Sequence, residues 1–277
     1  MGKAMYENYW QLQAKPFENT TDPRFYYPAE SHQGALLKLR YAIENHRGAA
    51  LLSGAAGLGK SQIVQTLTRQ LNDTFAPCIH VVFPQMPSDQ LLAYLAESLS
   101  GIGHSGSTPT IEQSVRRIER SLAENVEASR HAVVVIDEAQ DLDDGQCLET
   151  IRLLLNFEFQ AKTPLTIVLV GQPSLLPVLD RMPELDERLA VKCLLRRLSE
   201  EESISYIHHR LRAAGAEQEI FEPPALEAVH RLSHGVPRRI NRLCDLALLI
   251  GFAEERTNIG EAQIGAIAEE LVSVAPE

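Results

Sequence analysis

The segment that most constrains this chain is GAALLSGAAGLGKSQIV, residues 48–64. An apolar run, Ala49–Ser53, leads into G-x-x-x-x-G-K-S, with Gly54, Gly57 and Gly59 ahead of Lys60 and Ser61. A helical pattern follows, with apolar residues at 63, 64, 67 and 71. Glycines let the backbone curl until its N–H groups converge, which suits phosphate oxygens. The first turn of the helix adds its partial positive charge. Lys60 then reaches the β- and γ-phosphates of a nucleotide, and the Ser61 hydroxyl ligates Mg²⁺. Gly54, Ala55, Ala56, Gly57, Leu58, Gly59, Lys60, Ser61 and Gln62 are accordingly read as the ATP-binding stretch. The plainer alternative is a glycine-rich turn with a solvated lysine.

A second segment lies about 80 residues downstream. HAVVVIDEAQDL, residues 131–142, is an apolar strand that ends in Asp137 and Glu138. Carboxylates at the C-terminal end of a buried parallel strand stand beside such a loop. Asp137 is assigned to Mg²⁺, directly or through water, and Glu138 to the attacking water as general base. A strand that simply ends in two solvated acids is the alternative.

Other short apolar runs repeat this layout. Ile79–Phe83, Thr166–Val170 and a weaker Val191–Leu195 join Ala49–Ser53 and Val133–Ile136 as strand candidates. Continuous apolar runs suit parallel strands buried on both faces. Helical spacing recurs between them at 61–71, 90–99, 111–128 and 147–159. The expected class is α/β, with a parallel sheet between helical layers. Residues 101–110 read as a surface loop.

After Leu198 no strand pattern recurs. Residues 200–213, 224–233, 237–252 and 261–272 read as helices. Ser199 with Glu202 forms a capping box, and Pro237 suits a first helical position behind Gly235. The expected division is an α/β domain, 1–198, whose first 30 residues form an aromatic arm, and a small all-helical domain, 199–277. Seven of the 16 aromatic residues fall within the first 27 positions. That arm is expected to strap the sheet, with Pro16–Phe17 or Phe25–Tyr26 offering flat walls for a base.

Composition narrows the class. The net charge of −11 disfavours a protein that coats nucleic acid, and residues 199–277 carry −7 of it. Four scattered cysteines, with no C-x-x-C pair, point to reduced thiols rather than a disulfide framework. Met1–Trp10 lacks the apolar core of a signal peptide, and no run of 18 apolar residues occurs. The expected location is cytoplasmic, or at the inner membrane through a partner. His230 and His234 share helical spacing but lack the further ligands zinc needs. Arg116, Arg117 and Arg120 are diluted by Glu112, Glu119 and Glu124 into a solvated face.

Together these motifs resemble the AAA+ ATPases. More narrowly, they are similar to the bacterial family typified by general secretion pathway protein A, a relative of transposition ATPases. The resemblance rests on YENYWQLQAKPFENTTDPRFYYP at 6–28, the phosphate loop, IDEAQDL at 136–142 and LLLNFE at 153–158. It continues through LVGQPSL at 169–175, ERL at 187–189 and GVPRRINRLCDLAL at 235–248. It implies a P-loop NTPase fold with a helical lid, an ATPase activity, and the cofactors ATP and Mg²⁺.

The resemblance also implies residue roles. Asp137–Glu138 takes the place of the Walker B box. Gln172 becomes the polar sensor near the γ-phosphate, where the wider family often has Asn or Thr. Arg188 takes the place of the arginine finger that reaches a neighbouring subunit's ATP, with Arg181 as runner-up. Arg238 becomes the lid's sensor arginine, while Arg239 and Arg242 bind lid acids, a partner or a nucleic-acid backbone. The implied assembly is a homo-oligomer with ATP at its subunit interfaces, acting on a secretion or cell-envelope partner. The alternatives are a DNA-dependent ATPase of the transposition type and a nucleotide-gated scaffold with little turnover. In the secretion family a membrane span and a wall-binding region commonly follow the ATPase region, and neither is expected within these 277 residues.

Overall fold

The computed structural model describes residues 6–20, 22–103, 109–142, 145–159 and 161–273. Of the surface loop expected at 101–110, residues 104–108 lie outside the described residues, as do the first five residues of the arm. Contacts divide the chain into two units. One comprises Ser31–Ala56 and Ile63–Leu195. The other comprises the chain up to Glu30, Gly57–Gln62 and everything from Arg196 onward.

The first unit is a five-stranded parallel sheet flanked by helices. Its strands are β1 (Ala49–Ser53), β2 (Cys78–Val81), β3 (Ala132–Ile136), β4 (Leu165–Gly171) and β5 (Leu189–Leu194), in the order β2-β3-β4-β1-β5. Every residue of β1, β3 and β4 is buried, as their unbroken apolar runs require. The helices of the sheet region are α1 (Glu30–Glu44), α2 (Lys60–Gln70), α3 (Ser88–Ser100), α4 (Ile111–Glu127) and α5 (Gln146–Leu154). Two short ones, α6 (Leu176–Leu179) and α7 (Pro183–Asp186), precede β5. Three differences from the sequence reading stand out. The second strand ends at Val81, so Val82 and Phe83 leave the sheet at 65% and 67% exposure. α5 stops at Leu154, where the chain turns toward the Phe159–Lys162 bridge. α1 was not anticipated. Its buried Ala35, Leu39, Ala42 and Ile43 follow helical spacing, but Gly34 and the exposed Leu37 and Tyr41 blur the stripe.

The second unit is helical: α8 (Glu200–Ala213), α9 (Pro223–Ser233), α10 (Pro237–Ala253) and α11 (Glu261–Ser273). Ser199 and Glu202 form the expected reciprocal capping box, worth about 1 kcal/mol to the start of α8. Pro237 occupies the first turn of α10. Gly235 is required by space as well as conformation. Its φ is +67°, and a Cβ there would lie 2.1 Å from the Leu198 carbonyl oxygen.

The aromatic arm does not strap the sheet. Tyr6, Trp10, Phe17 and Phe25 are buried in the core of the helical unit. Trp10 Nε1 donates to the Leu248 carbonyl at 2.9 Å, and the Tyr6 hydroxyl donates to Asp245. The rings of Phe17 and Phe221 meet edge-on. Arg210, 3% exposed, donates to the carbonyls of Pro16 and Glu18 and to the Tyr206 hydroxyl. The physical reason is that helices already cover the sheet, whereas the apolar faces of α8–α11 leave a core that these rings complete. Of Pro16, Phe17, Phe25 and Tyr26, only Tyr26 is half-buried; the others are closed off.

Candidate functional site

Because all five strands are parallel, their C-terminal ends share one edge of the sheet. Ligands in open α/β sheets bind outside that edge. β4 lies between β1 and β3, so the ends of three adjacent strands present Gly54, Gln172 and Asp137 in a row. The Gly54 N–H donates to the Gly171 carbonyl at 3.1 Å, tying the start of the glycine loop to the end of β4.

The loop itself runs from β1 into α2. Gly57 and Gly59 have φ of +81° and +92°, conformations that residues with a Cβ rarely adopt. Leu58 is buried at 2% exposure and anchors the loop's middle. Lys60 is only 7% exposed, and an ammonium is held inside only where oxygens satisfy it. Ala55, Ala56 and Ser61 are exposed, while Gln62 is half-buried and donates its N–H to the Gly59 carbonyl.

Within the helical unit, the loop meets the start of α10. The Arg238 N–H donates to the Gly57 carbonyl at 3.2 Å. A Cβ on Gly57 would lie 2.9 Å from Arg238 Cβ and 3.2 Å from Val236 Cγ1. The Arg238 side chain is exposed, as are Arg239 and Arg242. This contact was not legible in the motifs, which are about 180 residues apart in the sequence.

At the end of β3, Asp137 is 6% exposed, and its Oδ1 accepts the Glu138 N–H at 2.9 Å. His80 on β2 brings Nε2 to 3.7 Å from Asp137 Oδ2. Glu138 has the left-handed backbone of φ +49° and ψ +42°, uncommon for a residue with a side chain. Its carboxylate accepts from Gln140 Nε2 at 2.8 Å. Gln140 Oε1 accepts the Gln172 N–H at 2.9 Å. Gln140 lies inside the IDEAQDL segment, where sequence alone gives it no role. Its signal was its place two residues after Glu138 in a tight turn.

Arg188 stands apart from these groups. It immediately precedes β5, whose Leu189 pairs with Ala49, so it lies at the N-terminal edge of the sheet. At about 3.3 Å per residue, that edge is roughly 15–20 Å from Gly54. Its exposed guanidinium donates to the Leu155 carbonyl at 2.8 Å and to Asn156 Oδ1 at 2.6 Å. Arg181 is exposed, with no side-chain hydrogen bond or ion pair among the described residues. On α4, Arg116 pairs with Glu112 at 2.7 Å, which lowers the positive field of that face.

Residues 43–179, which span β1 through β4 and the glycine loop, match the family model described as AAA domain. The chain carries an AAA domain. It is 34% identical over 276 residues to General secretion pathway protein A of Aeromonas hydrophila, covering 99% of this chain and 50% of that one. The chain thus spans about half the length of that curated relative. The fold is similar to that of Cdc6p from Pyrobaculum aerophilum, with a TM-score of 0.71 at 16% identity over 94% of this chain and 74% of that one. It is also similar to Drosophila ORC bound to DNA, with a TM-score of 0.69 at 17% identity over 98% and 67% of the two chains. The Thermotoga maritima RuvB branch migration motor follows at 0.57 and 18% identity, over 89% and 70%. At such identities the likeness concerns the fold alone: a parallel sheet flanked by helices, with a helical C-terminal part. Among the described residues, no helix is long and apolar enough to cross a membrane.

Proposed function

We propose that this chain binds ATP with Mg²⁺ and hydrolyses it, and that the nucleotide state governs assembly with further copies and action on a secretion or cell-envelope partner. The observation that carries the reading is the row at the sheet's C-terminal edge. A glycine loop with a buried lysine begins at β1, and a buried aspartate followed by a glutamate ends β3. In this reading the N–H groups of Gly54–Gln62 and the Lys60 ammonium hold the phosphates. Asp137 and Ser61 offer a carboxylate and a hydroxyl, hard oxygens of the kind Mg²⁺ takes. Mg²⁺ bound to them would neutralise charge on the phosphate oxygens.

Glu138 then serves as general base, accepting the proton of the attacking water. Gln172, at the end of the intervening strand, orients polar groups around the γ-phosphate. Arg238 lets residues 199–277 act as a lid that responds to the nucleotide. Arg188 is the arginine finger for a neighbouring subunit. Its place at the far edge of its own sheet supports action in trans. The choice of a secretion partner follows the similarity to General secretion pathway protein A.

The test is a matched set of variants. Lys60→Ala should weaken binding of a fluorescent ATP analogue by about tenfold or more. Glu138→Gln should abolish hydrolysis while binding and nucleotide-dependent assembly persist. If Glu138→Gln hydrolyses ATP at the wild-type rate, the assignment of the base is wrong. If the wild-type rate rises severalfold with double-stranded DNA at low salt, a nucleic-acid partner replaces the secretion partner.

A further inference from the structure

Between Glu138 and the end of β4 stands a side chain to which no role has yet been given. Gln140 makes two hydrogen bonds of opposite polarity. Its Oε1 accepts the main-chain N–H of Gln172 at 2.9 Å, and its Nε2 donates to Glu138 Oε2 at 2.8 Å. The orientation of the amide is dictated by its partners. The Gln172 N–H can only donate, and an ionised carboxylate can only accept. A flipped amide would set N–H against N–H and oxygen against oxygen, losing both bonds at once. The strand end is shaped to admit this side chain. Gly171 has no Cβ, and one added there would lie 3.0 Å from Gln140 Oε1 and 3.4 Å from Gln140 N. The left-handed backbone of Glu138 tightens the turn, so that residues 138 and 140 face the same strand end.

We propose that Gln140 is a positioning residue for hydrolysis: its amide fixes the carboxylate of Glu138 to the main chain of Gln172. The inference rests on the ATPase reading above. It adds that the base and the strand end bearing the proposed γ-phosphate sensor are one mechanical piece. A carboxylate on a side chain with three rotatable bonds is poorly placed as a base unless something holds it. A misplacement of about 1 Å costs on the order of a hundredfold in rate. Gln140 supplies that hold through its two hydrogen bonds.

The experiment compares the full-length wild type with Gln140→Met and Gln140→Asn. Methionine keeps the length and removes both hydrogen bonds. Asparagine keeps the amide but is too short to span Glu138 and Gln172 together. Each should lower kcat by about tenfold or more. KM for ATP and the affinity for a fluorescent ATP analogue should stay within about twofold, because phosphate binding lies with the loop. In a peptide covering residues 170–174, the Gln172 amide should exchange with deuterium about tenfold faster in both variants. In a Glu138→Gln background, where no carboxylate base is left to hold, Gln140→Met should change neither analogue binding nor nucleotide-dependent assembly.

Unchanged kcat in either folded variant overturns the inference. So does a fall in kcat accompanied by an equal loss of analogue binding, which marks a structural role only. A wild-type chain that binds ATP without turning it over overturns the hydrolysis reading itself, and this inference with it. Normal wild-type turnover with unaffected variants overturns this inference alone.

Discussion

The Arg238 N–H donates to the carbonyl of Gly57, so the first turn of α10 rests directly on the glycine loop. Substitution at Gly57 strikes this contact twice. Alanine would have to adopt φ of +81°, and its Cβ would approach Arg238 Cβ to 2.9 Å. Strained backbone of this kind costs about 1–3 kcal/mol. Gly57→Ala should weaken nucleotide affinity by about tenfold or more and lower the melting midpoint by several degrees. Titration with a fluorescent ATP analogue and a thermal melt check both. Unaltered affinity would show that the loop relaxes away from α10 without consequence.

Arg188 is bonded to Leu155 and Asn156 at the opposite edge of the sheet from the loop. If it serves a neighbour, Arg188→Ala should bind nucleotide normally and hydrolyse it at least about a hundredfold more slowly. Mixing Arg188→Ala with Glu138→Gln offers the decisive measurement. A Glu138→Gln subunit carries an intact arginine, and an Arg188→Ala subunit carries an intact base. Their shared interface should therefore regain activity that neither preparation shows alone. No recovery at any mixing ratio would remove the trans assignment.

His131 introduces a pH dependence unrelated to the phosphate site. It is 2% exposed, with Nε2 at 2.8 Å from Thr166 Oγ1 and Nδ1 at 2.9 Å from His46 Nδ1. Burial pushes its imidazole down to about 4, the charge of His46 adds to this, and a backbone hydrogen bond at Thr163 opposes it. His46 is itself lowered, by burial and by Lys162. Above the ordinary value of 6.5 both folded and unfolded forms are neutral, and His131 adds no pH dependence. As pH falls from 6.5 toward 4, the unfolded chain takes up a proton that the folded chain refuses, so stability drops by about 3 kcal/mol. Thermal midpoints followed by circular dichroism should fall across that window in the wild type. They should fall less steeply in His131→Gln, and identical slopes would refute the assignment.

Arg210 ties the arm to the helices. It donates at 2.6–2.8 Å to Pro16, Glu18 and Tyr206, and its guanidinium lies 5.1 Å from the Phe25 ring centre. Arg210→Met fills similar space but leaves buried carbonyls without donors, at a cost of about 2–4 kcal/mol. The arm should loosen before the rest of the unit does. Trp10, the sole tryptophan, should shift its emission to the red, and chymotrypsin should cut after Phe17 and Phe25. Wild-type emission and protection would mean that the buried rings hold the arm without the arginine.

Much of the molecule was legible before any coordinates. The apolar runs at 49–53 and 133–136 suit strands buried on both faces, and a glycine loop between strand and helix suits phosphate. The capping box at Ser199 and the proline at 237 mark helix starts by local chemistry, which acts within a few residues and so can be read locally. α1 was missed although its spacing was present, because exposed Leu37 and Tyr41 obscure the buried stripe.

What the sequence determined by itself was therefore the chemistry available at the sheet edge: which residues offer N–H groups, an ammonium, carboxylates and a hydroxyl. Tertiary structure alone decided which of them meet. Composition shows that the arm is aromatic, but only packing decides that its rings fill the helical core. A motif shows Gln140, but only the parallel order of β3 and β4 brings its amide between Glu138 and Gln172. Nothing near Gly57 in the chain announces Arg238. Such contacts depend on how strands and helices pack over long sequence separations, and pattern within a short window carries no information about them.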